Sequence, residues 1–199
     1  MNVIKIPKKL QMNIFFDTEF TGLHKNTTLI SIGLVDDQDK TFYAEFTDYD
    51  KHQCEPWIKR NVINNLKWAG TKSPERIKVE NDKGIAILGD TQYIANHLLK
   101  WLTQYQEVQL VSDVCHYDMI LFINIFGHAF DVPGLVAPCC HDINQDIARY
   151  FNIRESKAFD LSREGILENF NIKIDGDKHN ALYDAKVIKA IYNEIIEHE

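Results

Sequence analysis

The chain has 199 residues, of which 45% are hydrophobic and 26% are charged, with nine glycines and five prolines. This composition excludes collagen-like, low-complexity and wholly disordered chains and is typical of one globular domain with a sizeable core. The 22 basic and 29 acidic residues leave a formal net charge of −7, which disfavours binding to long stretches of nucleic acid through many phosphate contacts.

Apolar runs and cysteine usage favour a cytoplasmic protein without a membrane partner. The longest apolar run, from Met119 to Phe126, is too short to span a bilayer. The N-terminal lysines are not followed by the apolar segment of a signal peptide. The four cysteines form no CxxC pair, so neither a disulfide framework nor a zinc ribbon is indicated. The alternative to inert thiols is a metal site at Cys139, Cys140 and His141.

Three predicted strands open the chain. Residues 12–16 form an apolar run that ends at Asp17, residues 28–35 are β-branched and apolar, and residues 40–46 alternate after an aspartate-rich turn. Consecutive strands joined by short turns pair antiparallel. We therefore expect a β-meander.

The middle of the chain predicts two helices separated by a charged segment. The first helix opens at Glu55 with Pro56 in its first turn and continues to about Leu66. Residues 68–90 are predicted to form an exposed insertion or flap, and residues 1–11 a leader. Helical spacing resumes behind Thr91 as a cap and continues to about residue 104.

The second half predicts further alternation of strands and helices. A fourth strand at 108–111 leads to an apolar helix at 118–126, which should be buried between layers. Residues 127–138 are interpreted as a loop and a fifth strand. Three helices follow, at 142–151, from Ser162 onward and at 180–197. The order predicts a single α/β domain over residues 1–199, with a mixed five-stranded sheet flanked by helices.

Asp17 and Glu19 are the first candidate site residues. Side chains at positions i and i+2 of a strand point to the same face, so both carboxylates would face one point. Like charges this close are unfavourable unless a cation lies between them, and hard divalent cations prefer oxygen ligands. The alternative is that Asp17 only ends the strand and Glu19 is solvated.

Two further segments carry polar residues that could reach the same place. Asp118 follows the fourth strand and either caps the next helix or delivers a carboxylate to the edge of the sheet. His179 and Asp184, at the start of the last helix, lie about 140° apart around its axis and would flank a site. The alternative is that His179 caps this helix. Asp184 lies beside an apolar stripe, where a carboxylate needs a partner.

These blocks, in this order, resemble the DEDDh class of 3′-to-5′ exonucleases, which have a ribonuclease H-like fold. The first block is IFFDTEFTGL at residues 14–23, and the third is HNALYDA at residues 179–185. In the second block the family usually has asparagine where this chain has Asp113, before Tyr117 and Asp118. Together with NVINNL at residues 61–66, the blocks resemble a small branch of bacterial and phage exoribonuclease-like proteins related to RNase T and oligoribonuclease.

The resemblance implies a two-metal site. Two Mg²⁺ or Mn²⁺ ions would be held by Asp17, Glu19, Asp118 and Asp184, with Asp17 between both ions. His179 would serve as the general base, since imidazole titrates near neutrality. The ions would also offset the negative charge of the chain where a phosphate must bind.

The resemblance also implies a substrate and its contacts. Phe20, Thr21 and Leu23 would contact the 3′-terminal nucleotide by stacking or wedging. The expected substrate is the 3′ end of single-stranded RNA or of a short oligonucleotide, cleaved to nucleoside 5′-monophosphates, and related enzymes are often homodimers. Asp113 could bind the histidine or a water, or start the loop before the helix.

Three alternatives remain open from the sequence. A DNA exonuclease of the proofreading or phage type would use the same chemistry, because the sequence does not reveal whether the pocket accepts a 2′-hydroxyl. A non-enzymatic Mg²⁺-binding α/β module would have a mostly parallel sheet. A catalytically inactive interaction domain is disfavoured because all five catalytic positions are present.

Overall fold

The first predicted strand lies inside a seven-stranded sheet in the computed structural model, which describes residues 11–70 and 76–197. The strands are β1 (Gln11–Phe20), β2 (Leu29–Asp36), β3 (Thr41–Phe46), β4 (Ile77–Asn81), β5 (Gly84–Gly89), β6 (Glu107–Ser112) and β7 (His141–Asp142). Their order across the sheet is β4-β5-β3-β2-β1-β6-β7.

Helices cover both faces of this sheet. They are α1 (Pro56–Asn61), α2 (Thr91–Leu102), α3 (Cys115–Phe126), α4 (Ile143–Tyr150), α5 (Glu155–Asp160), α6 (Arg163–Asn169) and α7 (Ala181–Glu197). Phe16 faces a core shared with α2 and α3, whereas Phe15, its neighbour, faces a core shared with α4, α6 and α7. Among the described residues, no helix is both long and apolar enough to cross a membrane.

The antiparallel meander is confirmed. Strand β2 pairs antiparallel with both β1 and β3, while β6 pairs parallel with β1. The turn between β2 and β3 is held by Asp36, whose carboxylate accepts the N–H groups of Gln38 and Lys40, both at 2.8 Å. The sheet is therefore mixed, which disagrees with the mostly parallel sheet that a non-enzymatic Mg²⁺-binding module would have.

The sheet has seven strands where five were predicted, because the charged segment is folded. Residues 77–89 of the predicted insertion form the β4–β5 hairpin, in which β5 pairs parallel with β3. The hydrophobic pattern of this segment does not predict a strand, because β4 is an edge strand with exposed side chains such as Lys78 and Glu80. These two side chains pair with each other. Residues 71–75 of the insertion lie outside the described residues.

Helix α5 was not predicted, and most of the other differences concern boundaries. The leader was assigned to residues 1–11, but Gln11 begins β1, and residues 1–10 lie outside the described residues. The fifth strand was placed in 127–138, but the strand lies at His141–Asp142, and Val136 forms only an isolated bridge. Helix α2 is capped by Asp90 rather than by Thr91.

Helix α3 begins earlier than predicted and is buried on one side only. It starts at Cys115, so Asp118 lies in its first turn and is not its cap. Phe122 is buried against the sheet, whereas Tyr117 and Ile120 are exposed. The helix is apolar nearly all round, yet its outer side is not covered by another layer among the described residues.

Gly33 in β2 sets the position of helix α7. A Cβ atom at Gly33 would lie 2.3 Å from the backbone nitrogen of Leu182 and 2.4 Å from the carbonyl carbon of Ala181. Only a residue without a side chain permits this approach. The first turn of α7 therefore rests directly on the sheet, next to the end of β1.

We predict that Gly33→Ala destabilises the protein by about 1–3 kcal/mol, the usual cost of overpacking, because α7 must move away from β2. Thermal unfolding measures the change. Gly134→Ala is the matched control, since a Cβ at Gly134 meets no atom within 4 Å. Equal stability of the two variants would contradict this account of the contact.

Candidate active site

Asp17 and Glu19 lie on the α7 face of β1, as the strand periodicity predicts. Phe15 packs in the α7 core, and the next two residues of the same parity carry the carboxylates. Asp17 of β1 pairs with Gly33 of β2, so the first turn of α7, which rests on Gly33, lies beside Asp17. Both acidic residues line a cleft of about 300 Å³.

His179 and Asp184 enter the same cleft from the start of α7. The Asp184 carboxylate accepts the backbone N–H of His179 at 2.9 Å, and this bond closes the loop before the helix. One ligand atom from each of Glu19, His179 and Asp184 lies within 4.8 Å of the others. The predicted convergence of the first and third blocks is therefore observed.

Asp118 adjoins this group from the other side of β1. Its carboxylate accepts the backbone N–H of Thr18 at 3.2 Å and the hydroxyl groups of Thr18 and Ser112. It is buried and does not line the cleft with Asp17 and Glu19. Its charge nevertheless acts on Asp17, so the second block also reaches the end of β1.

Burial raises the pKa values of all four carboxyl groups. The pKa of Glu19 rises to about 8, through burial and then through the charge of Asp184. Burial raises the pKa values of Asp118 and Asp184 to about 7. The pKa of Asp17 also rises, through burial and then through the charges of Asp118, Asp184 and Glu19. A divalent cation would offset this repulsion, and carboxylate oxygens are its preferred ligands, so the group fits such an ion.

The His179 ring is held by neighbours from the α1 region. The Trp57 and His179 rings meet edge to face, with their centroids 5.0 Å apart. The backbone of His179 has a φ of 64°, in the left-handed region. Burial and then the charge of Lys178 lower the pKa of the imidazole from its ordinary value. His179 does not cap α7.

Two asparagines hold the loop that carries His179. Asn180 caps α7, because its side-chain oxygen accepts the N–H groups of Leu182 and Tyr183 at 3.2 and 3.3 Å. Its amide donates to the carbonyl of Asn65 at 3.1 Å, and the Asn65 amide donates to the carbonyl of Lys178 at 2.9 Å. Asparagine before a helix is a recognisable cap signal, but its partnership with Asn65 is not visible in the sequence.

Asp113 is an ion-pair partner and does not bind the histidine. Its two carboxylate oxygens accept from Nε and Nη2 of Arg163, each at 2.6 Å, and one of them also accepts from Asn144 at 2.9 Å. Arg163 lines the cleft with its side chain only 13% exposed. Its remaining donors bind Asn144 and the carbonyl oxygens of Ala158 and Leu161.

The three predicted substrate-contact residues separate into two groups. Thr21 is buried, and its hydroxyl is engaged with Gln53, so it does not reach the surface. Leu23 is 76% exposed and, with Phe20, lines a second and mostly apolar pocket of about 260 Å³ on the α3 side of β1. Exposed Tyr117 and Ile120 also line this pocket, and the sequence analysis did not include them among the candidate contact residues.

Solved structures of similar fold include a nuclease of the DEDDh family. The nuclease domain of 3′hExo, a DEDDh family member solved with bound rAMP, has a TM-score of 0.66 and 16% identity, covering 94% of this chain and 92% of that chain. Pop2p of S. pombe, solved in an Mg²⁺- and Mn²⁺-bound form, has a TM-score of 0.58 and 18% identity, covering 92% and 82%. These likenesses confirm the predicted fold class.

A sequence relative and a family profile agree with this fold. The Mycobacterium tuberculosis (strain H37Rv) protein named 3′-5′ exoribonuclease Rv2179c is 28% identical over 102 residues, which cover 50% of this chain and 59% of that relative. The profile of the 3′-5′ exoribonuclease Rv2179c-like domain matches residues 12–196, nearly the whole of the described chain. The chain therefore belongs to the Rv2179c-like 3′-5′ exoribonuclease domain family.

Proposed function

We propose that this protein is a divalent-metal-dependent 3′-to-5′ exoribonuclease that releases nucleoside 5′-monophosphates from single-stranded RNA or short oligonucleotides. The observation that carries the proposal is the convergence of Asp17, Glu19, His179 and Asp184 on one cleft, with Asp118 adjoining. These residues come from β1, α3 and the start of α7. The family membership supports the same reaction.

The carboxylates would hold two Mg²⁺ or Mn²⁺ ions. Asp17, Glu19 and Asp184 line the cleft and would be direct ligands. Asp118, whose carboxylate accepts the backbone N–H of Thr18, would support the second ion. When bound, such ions stabilise the attacking and leaving oxygens of an in-line phosphoryl displacement. The residues themselves orient these ions and supply the negative charge that retains them.

His179 would accept the proton of the attacking water. Its lowered pKa keeps the imidazole neutral near pH 7, as a base requires. The backbone bond to Asp184 holds the loop that carries His179, and the imidazole ring contacts Trp57. The loop clamped by Asn65 and Asn180 keeps this geometry without closing the cleft.

The apolar pocket would bind the terminal base. Leu23, Phe20 and Tyr117 offer apolar and aromatic surface beside Asp118, and such surfaces accept any base by stacking. RNA is the preferred substrate class because the M. tuberculosis relative is named an exoribonuclease and the 3′hExo domain was solved with rAMP. A preference for DNA is the competing outcome of the assay below.

The decisive test is the incubation of 5′-labelled and 3′-labelled RNA and DNA oligomers with the protein in Mn²⁺, Mg²⁺ or EDTA. We expect RNA to be shortened from its 3′ end, only with metal. Asp17→Asn and Asp184→Asn should abolish cleavage while the fold is retained, because each removes a ligand. Asp131→Asn, a change of an exposed aspartate that does not line the cleft, is the control. Full activity in either ligand variant would remove that residue from the site.

His179→Ala should lower turnover by about 10²-fold to 10⁴-fold, the usual share of a general base. Single-turnover rates at saturating metal measure the loss. Since Trp57 touches the ring, Trp57→Phe is a useful companion that keeps an aromatic neighbour. Unchanged turnover in His179→Ala would show that another group accepts the proton.

The stability of the metal-free protein should fall as the pH rises from 5 to 8. The carboxyl groups of Glu19 and Asp184 have raised pKa values in the folded state, about 8 and 7, so their protonated forms favour folding. This contribution is complete below their ordinary pKa values of 4.5 and 3.8 and is lost as the pH rises through the folded pKa values.

Melting temperatures in EDTA at several pH values test this prediction. Mn²⁺ or Mg²⁺ should restore stability at pH 8, because a ligand that binds only the folded state stabilises it. Glu19→Gln should flatten the pH dependence in EDTA and weaken the response to metal. An identical pH dependence in wild type and Glu19→Gln would contradict the assignment.

A further inference from the structure

A row of directly paired residues extends across the sheet from the active site to its far edge. Asp17 pairs with Gly33, Gly33 with Tyr43, Tyr43 with Ala86 and Ala86 with Val79. Directly opposed residues of paired strands lie on the same face, so the whole row faces the side on which α7 packs. The β4–β5 hairpin thus extends the sheet that carries the cleft.

Helix α7 covers only the first part of this row. Its first turn rests on Gly33, and Tyr43 is buried, with its ring stacked against Trp68. Beyond Tyr43 the cover ends, since Ala86 is only half-buried and Val79 is 47% exposed. An open groove of about 770 Å³ lies over this uncovered part of the sheet.

Lysines line this groove, which we name the lysine groove. Its charged lining residues are four lysines and two aspartates, namely Lys40, Lys67, Lys83, Lys186, Asp39 and Asp82. Asp39 already accepts from Lys189 at 2.8 Å, which offsets its charge. Among the residues that the structure describes, Lys67, Lys83 and Lys186 form no salt bridge. The groove is thus locally basic on a chain of net charge −7.

Among the described residues, Arg163 and Lys178 are the Arg and Lys side chains that line the catalytic cleft, and both form salt bridges. Arg163 donates hydrogen bonds to Asp113, Asn144 and backbone carbonyls, and Lys178 pairs with Glu164 at 3.1 Å. Helix α7 separates the two surfaces, with Asp184 on the cleft side and Lys186 on the groove side. A polyanion that leaves the cleft would therefore find unpaired positive charge in the lysine groove.

We propose that the lysine groove binds the sugar-phosphate backbone of single-stranded RNA several nucleotides 5′ of the terminal nucleotide in the cleft. The inference rests on the proposed exoribonuclease function and names the surface that receives the rest of the substrate. The ammonium groups would contact phosphates, while Val79 and Ala86 offer apolar surface to bases. Such contacts carry no sequence preference, as a processive or general exonuclease requires.

The geometry sets a length threshold. Asp17 and Ala86 are three strand spacings apart, or about 14 Å, and Val79 is about 19 Å away at about 4.8 Å per strand. At about 3.4 Å per stacked nucleotide, Ala86 and Val79 lie about four to six nucleotides from the cleaved bond. A stacked trinucleotide does not reach these residues, whereas a 12-mer extends past them.

The test compares a trinucleotide with a 12-mer of the same base, using full-length protein with Mn²⁺. In the variant Lys83→Gln with Lys186→Gln we expect the KM for the 12-mer to rise about tenfold at low salt, with kcat unchanged. The slope of log(kcat/KM) against log salt should fall by about 1.4, at about 0.7 for each lost contact. The trinucleotide should be cleaved as by wild type.

Lys59→Gln with Lys173→Gln is the matched control, because it removes the same charge from two exposed lysines that do not line the lysine groove. Equal losses on both substrates, equal losses in the control, or no loss on the 12-mer would each overturn the proposal. Affinity for labelled 12-mer, measured by anisotropy in the Asp17→Asn background, gives the same comparison without turnover. Absence of cleavage by wild type would instead refute the proposed function, and the affinity comparison would still decide on the groove.

Discussion

Helix α7 approaches strand β2 at Gly33 more closely than any side chain would allow, and the position of the active site depends on this contact. The first turn of α7 carries Asp184, and the loop before it carries His179. Because that turn rests on the strand next to β1, these two residues lie beside Asp17 and Glu19. A helix held further away would leave the same side chains on the same elements but separate the third block from the first.

The acidic groups brought together in this way oppose folding when they are ionised. Burial and mutual repulsion raise their pKa values, and only part of the cost is offset by hydrogen bonds such as those from Thr18 and Ser112 to Asp118. Asp113, which precedes Asp118 by five residues, differs from these groups because Arg163 neutralises its charge. Asp113 is thus neutralised within the fold, whereas no salt bridge among the described residues neutralises Asp17, Glu19, Asp118 or Asp184.

The β4–β5 hairpin contributes Ile87 to the core on one face of the sheet and adds an open surface on the other. The hairpin continues the face that bears the cleft but lies beyond the reach of α7, so its floor stays open and its rim is lined with lysines. A protein with a net negative charge can in this way carry a locally basic surface in the lysine groove. The acidic cleft and the basic groove are then two parts of one surface, divided only by the first turn of a helix.

Features that depend on contiguous segments could be predicted from the sequence, because periodicity and motif spacing are properties of such segments. They are strands β1, β2, β3 and β6, helix α7 and the three blocks with Asp17, Glu19, Asp118, His179 and Asp184. The charged β4–β5 hairpin could not, since an exposed edge strand lacks the alternation that burial imposes. The early start of α3 at Cys115 and the two-residue strand β7 were missed for a similar reason, as neither has a local signal strong enough to set its boundary.

The sequence by itself thus determined which side chains are the candidates for the site and on which elements they lie. Only the tertiary structure decided their partners: Arg163 for Asp113 across 50 residues, Asn65 for Asn180 across 115, and α7 for Gly33. The reason is physical, because these contacts depend on how separate elements pack, and packing brings together residues whose positions in the chain have no fixed relation.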